Sequence, residues 1–293
     1  MTTKELLDLI LGYRWFQDEK IRINPGDVYI AAHFAQHDIC RFGLILEDTA
    51  TLGLAPNQER YKFSALDITD ATNESPIVIE SEHNYNTGDE IVIDGVTGNT
   101  AANGRWKVTR IDDNHYSLDG SVGNGVYEEG GRSYHLLMSA LMIKGDMHKV
   151  GEEMGAIEKR DKYQVDFNRR HFGKNSQPAK VLYWYEIHGQ TIEVGFQGIP
   201  AKHMTVELMY YRKPQEYERI REGVDPILPT DYDRLHYSGT LYHLFDMLPH
   251  PKAKDEADRW MNKFLTELVA YGDSAVKQRI SYYVRMSNIK WKG

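Results

Sequence analysis

Residues 178–272 restrict the fold more than any other part of this chain, because short alternating segments there give way to two long helical repeats. Residues 181–187, 191–196 and 204–211 alternate apolar and polar positions and are parted by turn residues at Gly189 and at Gly198 with Pro200, so they read as three strands of an antiparallel meander. Pro214 ends the third strand. Leu228-Pro229-Thr230 then introduces a helix, with Thr230 expected as N-cap and Asp233 three residues on, so that two backbone donors of the first turn find acceptors. This helix is expected to run to Leu248. Beyond Pro249 and Pro251, Ala257, Trp260, Met261, Phe264, Leu265, Leu268 and Val269 recur at three- and four-residue spacing, which places them on one face of a second helix that Gly272 stops.

The N-terminal part carries a Thr2-x-x-Glu5 capping box followed by Leu6, Leu7, Ile10 and Leu11, a short helix that must dock on something. Asn24-Pro25-Gly26 reads as a turn. After it, Val28, Ala32, Ala35, Ile39 and Phe42 form the buried stripe of a longer helix ending at Gly43. From residue 69 to residue 132 the character changes, with Gly and Asn recurring between short apolar alternations. Residues 77–80, 90–93, 106–110 and 116–118 read as strands, and Asp94-Gly95, Asn103-Gly104 and Asp119-Gly120 are tight-turn dipeptides that accept positive φ. This stretch reads as a small all-β module inserted in a host domain.

Composition narrows the functional classes. At 293 residues and 41% hydrophobic, the chain can bury the core of one large or two modest domains. No apolar run approaches the roughly 20 residues that span a bilayer, and Met-Thr-Thr-Lys-Glu lacks the pattern of a secretory signal, so synthesis in the cytoplasm and no membrane partner are expected. Cys40 is the only cysteine, which leaves stability to packing or to neighbouring subunits. A net charge of −8 argues against a broad grip on phosphates, since such binding draws on Lys and Arg displacing counterions.

The sequence assigns no catalytic residue, no metal and no cofactor. His33, His37 and Cys40 have helical spacing that suits zinc, but no fourth ligand is evident, and they are expected opposite the apolar stripe, facing solvent or another element. Residues 120–125 are Gly-rich without the Lys-Ser/Thr ending of a phosphate loop, and read as a turn. Asp112-Asp113-Asn114 with Asp119-Gly120 misses the calcium-loop spacing and reads as acidic hairpin turns. Glu152-Glu153 and Glu158 are paired carboxylates in a solvated segment, with no apolar surroundings to raise a pKa for acid–base work.

Several stretches, taken in order, carry a resemblance: PAKVLYWY at 178–185, QTIEV at 190–194, TVELMYYRKP at 205–214, LPTDYDRLHYSGTL at 228–241, and an amphipathic helix ending near VAYGD at 269–273. Ahead of them stand HFAQHDICRF at 33–42 and EDTATLGLAPNQERYKF at 47–63. The string is similar to the head-to-tail adaptor, or connector, proteins of tailed bacteriophages, in which a two-stranded element follows the second helix. TGDEIVIDGVTGNTAANGRWKVT at 87–109 resembles a small β-barrel module that recurs as an insert in phage structural proteins and also resembles a half-domain of ubiquitin-activating enzymes. That enzymatic activity does not carry over, since the segment has no cysteine and no nucleotide-binding loop.

The resemblance implies an α+β fold, with a helical body from the N- and C-terminal helices, antiparallel strands, and an inserted small all-β, barrel-like domain. It divides the chain into an adaptor part at 1–68, the inserted module at 69–132, a second adaptor part at 133–272 and a C-terminal arm at 273–293. It further implies a virion protein of the neck: a ring of twelve subunits beneath the portal protein, extending the DNA channel without sequence-specific binding and presenting its lower face to a stopper, tail or nozzle protein. The module then serves contact with a host surface or partner, or decorates the ring exterior.

The arm has no acidic residue after Asp273 and mixes Lys277, Arg279, Arg285, Lys290 and Lys292 with Tyr282, Tyr283, Val284, Ile289 and Trp291. Such residues are enriched at protein interfaces. The resemblance suggests that Arg279, Tyr282, Tyr283, Arg285, Ile289, Lys290, Trp291 and Lys292 dock on the portal. A helix folded back on the same subunit and a nucleic-acid contact through Arg and Tyr stacking are the competing readings. For the whole chain, a tail-tube or tail-attachment protein and a receptor- or carbohydrate-binding protein using Tyr85, Trp106 or Tyr127 stay open, as does a metal-dependent enzyme built on His33, His37 and Cys40.

Overall fold

The computed structural model describes residues 1–150, 155–161, 163, 183–188, 192–197, 200, 202–215 and 218–271. The fold is α+β and separates into two compact units, Met1–Leu46 with Arg212–Gly293, and Glu47–Tyr211.

The first unit is helical and joins both parts of the chain. Its helices are α1 (Thr3–Leu11), α2 (Arg14–Asp18), α3 (Pro25–Gly43), α4 (Asp233–Met247) and α5 (Ala253–Tyr271). The capping box at Thr2 and Glu5 forms as expected. Asn24-Pro25-Gly26 is no separate turn: Asn24 caps α3 by accepting the Gly26 N–H at 3.0 Å, and Pro25 takes the first helical position, where its missing donor costs nothing. Thr230 is not the cap of α4. Residues Thr230–Tyr232 form a 3-10 turn, and α4 begins at Asp233 with no side-chain cap.

Seven residues of α5 are buried, among them Trp260, Met261, Phe264, Leu265 and Leu268, each contributing roughly 1.5–3 kcal/mol of transfer free energy. They meet α4, which buries residues around most of its circumference and so shows little periodicity of its own. Two of its buried hydroxyls are satisfied inside the helix, Ser238 by the Leu235 carbonyl at 3.0 Å and Thr240 by the His236 carbonyl at 2.8 Å. Gly239 sets the helix spacing, because a Cβ there would stand 2.9 Å from the Phe264 ring and 3.0 Å from Ala35 Cβ.

Among the described residues, the second unit holds two seven-stranded sheets. Strands β1 (Glu47–Leu54), β2 (Arg60–Tyr61), β10 (Ala140–Val150), β11 (Ala156–Lys159), β12 (Tyr183–His188), β13 (Ile192–Gln197) and β14 (Met204–Arg212) make one, in the order β1-β14-β10-β11-β12-β13-β2. The expected meander is half right. β12 and β13 pair antiparallel, but β14 leaves β13 and runs antiparallel to β1 over eight residue pairs, from Glu47 opposite Tyr211 to Leu54 opposite Met204. Nor are β1 and β2 a strand pair; they stand at opposite ends of the order. Alternation says which face of a strand is buried, not which distant strand it joins. β11 and β12 are parallel, which makes the sheet mixed.

The other sheet takes β3 (Ala65–Asp67), β4 (Asp70–Ala71), β5 (Val78–Glu80), β6 (Glu90–Asp94), β7 (Gly104–Arg110), β8 (His115–Leu118) and β9 (Arg132–His135), in the order β3-β9-β6-β7-β8-β5-β4. Its end strands β3 and β4 are separated by only two residues, Ile68 and Thr69, so the sheet must curl until its ends meet. Ile77, Ile79, Ile91, Val108, Tyr116 and Leu118 fill the inside. Gly95, Gly104 and Gly120 all have positive φ, as the turn dipeptides require.

Candidate functional site

The zinc candidates do not converge. Cys40 lies not on the outer side of α3 but in the core beside Ile39, Phe264 and Leu268, because position 40 falls on the edge of the buried stripe rather than opposite it. Burial pushes its thiol up to about 12. The rings of His33 and His37 are 4.6 Å apart, one turn of helix, and His33 is buried. Among the described residues, no three His, Cys, Asp or Glu side chains gather where a metal could be held.

The other chemical candidates are taken up locally. Asp112 accepts the Asn114 N–H at 2.8 Å and meets His115 Nδ1 at 2.9 Å, within the β7–β8 turn. Asp119 accepts from the Thr109 hydroxyl. Glu158 is exposed and lies 3.8 Å from Arg160. Tyr85 is buried in the barrel core and unable to stack on a sugar, and the Trp106 indole donates to the Ala102 carbonyl at 2.8 Å. Glu152, Glu153 and all eight residues assigned to the portal fall outside the described residues. Among the described residues, no helix is long and apolar enough to cross a membrane.

What the structure adds is a polar seam between the two sheets. Asp89, 2% exposed, accepts the backbone N–H of Gly53 at 2.6 Å and of Asn86 at 2.7 Å. Glu90 accepts the Thr51 N–H at 2.8 Å, and Arg105 reaches Asp48 at 3.0 Å, Glu90 at 3.4 Å and the Thr49 carbonyl. Side chains of the barrel thus stand where β1 lacks a neighbouring strand, which closes an edge that would otherwise pair with other chains. Close approach is possible because residue 53 is glycine; a Cβ there would overlap the Thr87 carbonyl oxygen. His135 is buried on the same side. Its Nδ1 accepts the Leu137 N–H at 3.1 Å, so in the neutral ring Nε2 carries the proton and faces Asp89 Oδ1 at 3.6 Å. The cavity these residues border measures about 10 Å³, far short of the roughly 300 Å³ of a small-molecule pocket.

The opposite end of the barrel is a loop face. The turn at 111–114 precedes β8, and the loop at 119–131 follows it, so these two lie at different ends of the same strand. With 119–131 go the loops at 72–77 and 95–103, and side chains fasten the three together. Asn99, wholly buried, donates to the Thr72 carbonyl at 2.8 Å and accepts the Asn124 N–H at 3.1 Å. Asn124 accepts the Ala101 N–H at 2.9 Å, and the Ser121 hydroxyl accepts the Ile77 N–H at 2.8 Å. The Gly-rich run is therefore a packed loop. On it Val122 and Val126 stand out at 65% and 76% exposure. Two valines inside a run of Gly, Asn and Ser were the available signal for this face; Asp89, Glu90 and Arg105 left none, since scattered charges look alike in a sequence.

Neither a scan against models of protein families nor a search of curated proteins finds a match to this chain.

Proposed function

We propose that this chain is a structural virion protein of a tailed bacteriophage, a head-to-tail adaptor that assembles as a ring of twelve under the portal vertex, extends the DNA channel and joins capsid to tail. The observation that carries the reading is the union of the chain's two flanks in one helical unit: α1 and α3 from the first 46 residues pack with α4 and α5 from beyond residue 212. Two of the quoted stretches on which the resemblance rests, HFAQHDICRF and LPTDYDRLHYSGTL, thereby meet in a single core, where Ile39, Cys40 and Phe42 pack with Leu228 and Leu235. In the same unit the His236 imidazole donates to the Ala32 carbonyl at 2.9 Å. A protein that works by fitting against neighbours needs rigid faces and no reacting groups, and the side-chain-fastened loops and closed seam of the second unit suit that use.

The partners in this reading are the portal protein above and a stopper, tail or nozzle protein below. Subunits of a ring meet through two different patches, so the free chain can stay monomeric and join only on the portal. Co-expression with a candidate portal followed by a size measurement tests it: a complex with twelve copies of this chain is expected, and failure to co-migrate counts against the reading. Stacked hexameric tubes of the chain alone would instead make it a tail-tube protein.

A further inference from the structure

His135 and Asp89 leave a gap in the polar seam. Both are 2% exposed, and Nε2 of the first stands 3.6 Å from Oδ1 of the second, too far for a hydrogen bond. The imidazole proton is fixed on Nε2, because the Nδ1 lone pair accepts the Leu137 N–H at 3.1 Å. Among the described residues this Nε2–H meets no acceptor, a rare condition for a buried donor. Both groups are also held where they stand. The Phe63 ring lies 4.3 Å and the Tyr85 ring 6.3 Å from the imidazole, centre to centre, while Asp89 is tied at Oδ1 by Gly53 and at Oδ2 by Asn86. Beside them lies the cavity of about 10 Å³, which Leu52, Tyr61 and Asn86 also border.

We propose that this cavity binds one water molecule, which accepts the Nε2–H of His135 and donates to Oδ1 of Asp89. The site asks for a ligand that is acceptor and donor at once, and a buried water needs roughly 10–15 Å³ and a few polar partners. The same atoms exclude other chemistry. A metal ion finds no lone pair on an Nε2 that carries hydrogen, an anion is repelled by the Asp89 carboxylate, and no organic molecule enters so small a space. Oδ1 keeps a lone pair for the water after accepting the Gly53 N–H, as a carboxylate oxygen has two. The water then links the end of β9, where His135 stands, to the side chain that covers the edge of β1, so the seam is held at one more point than its direct hydrogen bonds provide. The inference concerns the second unit alone and does not rest on the adaptor reading.

Two measurements on the full, unaltered chain test it. A crystal structure at atomic resolution is expected to show a water oxygen about 2.7–3.2 Å from both Nε2 and Oδ1. A direct hydrogen bond between those two atoms, or a cavity without density, would overturn the proposal. In solution, with histidine labelled at the ring nitrogens, the Hε2 proton of His135 is expected to resist exchange with bulk solvent and to show cross-relaxation to water with the sign of a long-lived bound molecule. His135→Asn identifies that resonance by its loss. A protected Hε2 without this cross-relaxation would count against the site, and failure of the chain to bind a portal would leave both results untouched.

Discussion

The Asp89 carboxylate accepts the backbone N–H of Gly53 at 2.6 Å, which fastens a side chain from one sheet to the edge strand of the other. Because Asp89 is 2% exposed, neither group has water to fall back on when the other is lost.

Asp89→Ala is therefore expected to cost about 3 kcal/mol, the price of two buried N–H groups, on Gly53 and Asn86, left without acceptors. Asp89→Asn keeps one acceptor oxygen and should lose less. Urea unfolding followed by tryptophan fluorescence gives both values, and equal stability of Asp89→Ala and the parent would show that the seam is not closed as described.

At Gly53 itself any side chain collides with backbone, which cannot swing aside as a side chain can. Gly53→Ala should destabilise by about 2 kcal/mol or more. The matching substitution at Gly155, where a Cβ meets nothing within 4 Å, should be close to neutral in the same thermal melt.

His236 makes the helical unit sensitive to acid. Full burial holds its imidazole down at about 4, against an ordinary value near 6.5. The unfolded chain takes up a proton below about pH 6.5 and the folded one does not until about pH 4, so the stability it confers is complete above that range and is lost as pH falls through it. The loss is on the order of 3 kcal/mol. His236→Gln keeps a donor for Ala32 and should flatten this part of the pH profile of the unfolding midpoint; a profile unchanged by the substitution would count against a buried neutral ring.

Cys40 gives the opposite dependence. Burial raises its thiol to about 12, so the group stays protonated in the fold while an exposed cysteine ionises near 8.5, and stability drains away as pH climbs from about 9 toward 12. A thiol reagent at pH 8 should leave the native protein unlabelled and label one equivalent once urea unfolds it.

How much of this was legible in the sequence depends on the range of each interaction. Local signals were sound: the Thr2–Glu5 box, the stripe of α5 from Ala257 to Leu268, and the three glycine turns of the barrel all form. Cys40 was misplaced because one helical position, 100° of rotation, separates the rim of a buried stripe from its interior. The partner of β14 was misread because adjacency in sequence suggested β13, while the eight-residue match to β1, from Leu54 opposite Met204 to Glu47 opposite Tyr211, lies far back along the chain. Thr230 had a cap's chemistry, but a 3-10 turn after Pro229 shifts the helix start to Asp233. The loop face was half visible, as exposed valines in a turn-rich run, whereas its fastening through Asn99 and Ser121 depends on which loops the barrel gathers.

The route of the backbone has one more implication. Arg212 donates its N–H to the Leu46 carbonyl at 2.9 Å, Glu47 faces Tyr211, and Ala65 faces Tyr134. Each β element leaves and rejoins its host at neighbouring residues, so the chain is built as cassettes nested one within another. Excising the barrel and splicing residues 64 and 136 with a short bridge would keep the chain path of the remainder but uncover the β1 edge that Asp89 and Glu90 cover, so a different barrel grafted at the same two points would have to supply that seam. Diversification of such a protein can proceed by exchange of its innermost piece while the helices that hold the outer layer stay as they are.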